Sequence, residues 1–120
     1  MTVVTLVSGG SSAAREQAIA AHVDPQVLNA AIIEGLADGR ALLEIAAGEL
    51  PLQVVRVAPG CPCCIGNLTM RVTLNRLLRQ APAHLYLSIV DASHKPGIVA
   101  FLQEGQYREH LQLGPELVCG

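Results

Sequence analysis

Short β-branched runs that alternate with stretches of helical pattern constrain this chain more than any other feature. Apolar runs fall at residues 2–7, 27–34, 52–58 and 85–90, the first bounded by Ser8-Gly9-Gly10 and the others by Gly35, Pro59 and Asp91. Between them, residues 13–23, 36–48 and 68–80 carry helix formers at helical spacing, and Ser93 and Pro96 open a further helix running to about Glu104. A last short strand is expected at residues 116–119. Strands separated by helices must be joined by crossovers, so the expected fold is a three-layer α/β domain with a mostly parallel sheet, residues 1–120 forming one unit. In such sheets ligands collect at the carboxyl ends of the strands. The turn at Ser8–Ser12, Glu34, the cysteine-bearing residues 58–67 and Asp91 all follow predicted strands and would share that rim.

Composition narrows the chemistry. Hydrophobic residues make up 51% of the 120, but aromatics only 2%, so the core must be aliphatic and stacking platforms for nucleic-acid bases are lacking. A formal charge of −2 gives no electrostatic reason to expect DNA, RNA or an anionic membrane as partner. No signal-peptide pattern follows Met1, and no apolar stretch approaches the roughly 18 residues that span a bilayer. The expectation is a cytoplasmic protein with reduced thiols, in which clustered cysteines bind metal or react rather than form structural disulfides.

Three of the four cysteines, Cys61, Cys63 and Cys64, lie within four positions, fenced by Pro59, Gly60, Pro62 and Gly66. On a strand-to-helix junction they would sit near the positive end of the following helix, which favours thiolate. Three thiolates can bind one soft or borderline ion, and a fourth ligand completes a tetrahedron. Glu34, Asp91, His94 and a cysteine of a second chain are all candidates for that place, and the sequence leaves the choice open. The competing readings are small buried side chains or a redox pair at the Cys61–Cys64 spacing. Cys119 reads as a core residue, and His22, His84 and His110 as surface residues.

The turn after the first strand invites comparison with a phosphate-binding loop. Aligning Gly9 with its first glycine puts Ala14 at the second glycine, Arg15 at the lysine and Glu16 at the magnesium-binding hydroxyl. A carboxylate there opposes phosphate, although Gly9, Arg15 and Asp91 remain candidate nucleotide-binding residues. The bland alternative for Asp91 is helix capping. In the helix at 68–80, Leu68, Val72 and Leu78 are expected on the core face, with Asn67 as cap and Arg71, Arg76 and Arg79 elsewhere.

Gly60-Cys61-Pro62-Cys63-Cys64, with the helix from Leu68 to Leu78 behind it, resembles the GC-x-CC loop and following helix of CobW-like P-loop GTPases. The resemblance extends in order over most of the chain. Residues 2–19 match the first strand, loop and helix, residues 31–35 the acidic residue after strand two, and Asp91 the acidic place after the fourth strand. It implies a P-loop-NTPase-like fold and the handling of zinc or cobalt. The chain departs from the pattern in its loop residues, in Ala92-Ser93-His94 where Thr-Thr-Gly is usual, and in lacking the guanine-recognising N-K-x-D segment and C-terminal domain. It therefore reads as a truncated, degenerate member. The function implied is a metallochaperone-type metal-binding or carrier domain without catalysis, using Cys61, Cys63 and Cys64 with Glu34 as a further candidate. Its partner would be a client metalloprotein or a second copy. The alternatives are weak GTP or ATP hydrolysis, with Arg15 for lysine and magnesium at Asp91, and an interaction or thiol-redox module.

Overall fold

The structure is a computed structural model and describes residues 1–35, 48–57 and 65–119, with the backbone alone for 65–69 and Gln106. The strands are β1 (Thr2–Gly9), β2 (Asn29–Glu34), β3 (Leu52–Val57), β4 (His84–Ser88), β5 (Leu111–Leu113) and β6 (Leu117–Cys119). The helices are α1 (Ser12–His22), α2 (Ile65–Leu78), α3 (Lys95–Leu102), preceded by a 3₁₀ turn at Ala92–His94, and α4 (Gly105–Arg108). The helix expected at 36–48 lies outside the described residues apart from Gly48.

Among the described residues every strand pairing is parallel, in the order β3-β2-β4-β1-β5, with β6 beside β1. The connection from β1 to β2 moves one way along the sheet, whereas β3 to β4 and β4 to β5 move the other way. Right-handed crossovers then put α1 on one face and the later helices on the other. The two apolar clusters agree. Val7, Ala31, Ile33 and Tyr86 pack with Ile19 of α1 and Val23 just after it, while Leu6, Ile32, Leu85 and Leu87 pack with Leu74, Leu77, Ile98, Phe101 and Tyr107. Strand alternation thus sends neighbouring residues of β2 and β4 to opposite layers, which is why their runs are apolar throughout. The mostly parallel α/β architecture is as expected.

Several boundaries differ. β2 begins at Asn29, because Asn29 is drawn into a turn: its side-chain amide donates to the carbonyls of Asp24 and Val27. α2 starts at Ile65, so Asn67 lies within it and is not its cap. Its core face is Thr73, Leu74 and Leu77 with Met70 and Leu78 packed beside them; Leu78 is as expected, the Leu68 side chain lies outside the described residues, and Val72 is 61% exposed. The helix expected to run to about Glu104 is present as α3 but ends two residues earlier, at Leu102, and Gln103 and Glu104 turn the chain into the short α4. The strand expected at 116–119 is present as β6, and β5 at Leu111–Leu113 is an edge strand the sequence did not announce. Leu113 pairs with Val4 and Leu117 with Val7, so four steps on the edge oppose three on β1, and the surplus residue forms a bulge at 114–116.

Candidate functional site

The carboxyl ends of β1, β2, β3 and β4 form one rim, with the crevice between β1 and β4 at the point where the connections reverse. β1 leaves the sheet through Gly9 (φ 80°) and Gly10 (φ 60°), and Ser11 caps α1 by accepting the amide of Ala14 at 3.0 Å. Gly9 is required twice over. Its backbone is left-handed, and a Cβ would stand 2.3 Å from the carbonyl oxygen of Cys119 on β6.

Arg15, in the first turn of α1 and only 5% exposed, folds back over this turn. Its Nη1 donates to the carbonyls of Gly9 (3.1 Å) and Gly10 (3.0 Å), and its Nε to the hydroxyl of Ser88 at the end of β4 (3.0 Å). The guanidinium therefore braces β1, the turn and β4 across the crevice. Glu16, 1% exposed, pairs with Arg56 of β3 at 2.6 Å and accepts from the Ser12 hydroxyl at 3.4 Å. Each of the two charged residues standing at the aligned lysine and hydroxyl positions is thus engaged by the protein itself.

Glu34 ends β2 and is 3% exposed; one carboxylate oxygen accepts the amide of Val90 at 3.1 Å. In the β2–β3 register it lies directly opposite Val57, the last residue of β3. Asp91 is exposed and caps the 3₁₀ turn, accepting the Ser93 amide at 2.9 Å. Hydrogen bonds from the Ser93 amide and hydroxyl hold its carboxyl below the usual carboxylate range, with a smaller contribution from His94. His94 Nε2 is 3.8 Å from the Asp91 carboxylate. Farther along, Glu116 bridges the Lys95 ammonium and the Ser8 hydroxyl, fastening the bulge before β6 to α3.

Cys61, Cys63 and Cys64 belong to residues 58–64, which lie outside the described residues. Their points of attachment are described. Val57, which precedes the segment, lies one strand spacing or about 5 Å from Glu34. Asp91 follows β4, two spacings from β3. Cys119 ends β6, four spacings and roughly 19 Å away, where its thiol lies 3.9 Å from the Ala14 carbonyl. Of the acidic and sulfur candidates within the described residues, Glu34 is the one brought to the foot of the cysteine segment. Among the described residues no group of three or more His, Cys, Asp or Glu is gathered as a metal site, and no helix is long and apolar enough to cross a membrane.

Sequence reasoning passed over Ser88, Arg56 and the Lys95–Glu116 pair. Arg56 did leave a trace, as a cation on the same strand face as Leu52 and Val54, where a buried acid was needed opposite. Ser88 left none, because its partner lies far away in sequence. No protein-family model, curated protein or solved structure matches the chain.

Proposed function

We propose that the chain is a metal-binding carrier domain that takes up zinc or cobalt as cargo through the thiolates of Cys61, Cys63 and Cys64, without hydrolysing nucleotide. The observation that carries this reading is the register of β2 against β3. It sets the buried carboxylate of Glu34 opposite Val57, where the cysteine segment begins. Three soft thiolates and one hard carboxylate suit a borderline divalent ion that prefers four ligands. The parallel sheet with its β1–glycine turn–α1 opening supports a P-loop-NTPase-like scaffold of the CobW-like kind. The engagement of Arg15 by Gly9, Gly10 and Ser88, and of Glu16 by Arg56, supports a scaffold that works without nucleotide. Capture and release then depend on pH, thiol oxidation or a client protein.

Protein purified under reducing conditions without chelator is expected to carry one zinc per chain by elemental analysis, with the thiols it binds protected from alkylation. Cys63→Ser should lose the ion. Equal metal content in both proteins would end the metal reading, and micromolar binding of GTP or ATP by calorimetry would end the claim of nucleotide independence.

A further inference from the structure

The opposite end of the sheet carries a cleft of about 390 Å³ between the last turns of α2, the start of β1 and the turn after α4. Asn75, Leu78 and Arg79 form one wall, and Tyr107, Glu109 and His110 line the other side. The Tyr107 hydroxyl donates to Asn75 Oδ1 at 3.0 Å, tying the two sides together. From this cleft a solvent-facing stripe runs up α2 through Arg79, Arg76, Asn75 and Val72, at the i, i+3, i+4 and i+7 spacing of one helix face.

The charges on this stripe are unspent. The chain has eight Lys and Arg residues. Arg15, Arg56, Arg71 and Lys95 are taken up internally: Arg71 pairs with Glu104 at 2.9 Å and stands over the Phe101 ring. Arg40 lies outside the described residues. Of the remaining three, Arg76 and Arg79 stand on the stripe, and among the described residues neither has an acidic partner. The sequence of α2 contains no acidic residue. Cations in its last turn also suit the helix dipole, but the dipole gives no reason for a valine held out to solvent one turn earlier.

We propose that the outer face of α2 and this cleft form a docking surface for an acidic, apolar-flanked segment of a partner protein. Carboxylates of the segment pair with Arg76 and Arg79. An apolar side chain covers Val72, and another enters the cleft against Leu78 and Tyr107. Glu109 repels a second acid at the far side, which sets the direction of the segment. The stripe from Val72 to Arg79 is about 10 Å long, more than a ligand confined to the cleft would use. The inference is independent of the cysteine segment, so Cys63→Ser should leave docking unchanged.

A random peptide library displayed on phage, selected on the full chain and counter-selected on Arg76→Glu/Arg79→Glu, provides the test. Enriched peptides should place Asp or Glu beside Leu, Phe or Trp. The best of them should bind the double variant about tenfold more weakly by fluorescence anisotropy, with Arg76→Gln/Arg79→Gln in between. Amide shifts on binding should concentrate at residues 72–79 and 107–110. Both arginines are exposed, so the variants should keep the parent amide spectrum. Absence of enrichment, equal affinity for wild type and double variant, shifts confined to other surfaces, or displacement by a single-stranded oligonucleotide would each overturn the proposal.

Discussion

Replacing Arg15 by methionine tests whether the charged residue in the turn is structural. Methionine keeps the unbranched stem and removes three hydrogen bonds. The bond to Ser88 matters most, because Ser88 is 1% exposed and water cannot readily replace the guanidinium there. A bond from a charged group to a buried partner contributes about 1.5–3 kcal/mol. The Gly9 and Gly10 carbonyls lie nearer solvent, and together add roughly 1 kcal/mol more. The loss should therefore be about 3 kcal/mol. With a urea dependence of about 2 kcal/mol per molar, the unfolding midpoint should fall by about 1.5 M. Arg15→Lys can still reach the two carbonyls but has no Nε for Ser88, so it should lose roughly half as much. Adding Ser88→Ala to the methionine variant removes the stranded hydroxyl and should restore about 1 kcal/mol in a double-mutant cycle. A loss below about 1 kcal/mol for Arg15→Met, or equal midpoints for Lys and Met, would refute the bracing role.

Ala81, in the turn that follows α2, has φ 50°, a left-handed position that costs a residue with a Cβ about 1 kcal/mol, so Ala81→Gly should raise the thermal midpoint by a few degrees in calorimetry. Gly9→Ala meets both a left-handed backbone and the Cys119 carbonyl; it should cost more than about 2 kcal/mol and release the β6 amides to hydrogen exchange before those of β4. Burial raises the pKa of Tyr86 above 10.0, with a smaller contribution from Asp24, and burial raises that of Tyr107 as well. The folded state then holds the phenol protons more tightly. Stability from this source is intact below about pH 10 and is lost as pH rises through the folded values, and Tyr86→Phe/Tyr107→Phe should flatten that decline in urea titrations.

The sequence by itself determined the architecture. Runs such as Ala30–Ile33 are apolar at every position, which suits a strand covered on both faces, and the helical stretches between them leave parallel crossovers as the connection. It also marked the turn at Gly9 and the cap at Asp91, since those depend on residues adjacent in the chain. The core face of α2 was legible only in part, since Leu78 packs toward the sheet and Val72 does not. Val72 has the right chemistry for a core face, but the sheet receives Leu74 and Leu77, and a helix with leucines on several sides does not declare which one is buried. Tertiary structure alone decided what the charged residues do. Arg15 meets Ser88 across 73 positions, Glu16 meets Arg56 across 40, and Glu34 reaches Val57 only because β3 takes the place beside β2. Local sequence encodes propensity and period, but partners far apart in the chain are fixed by strand order.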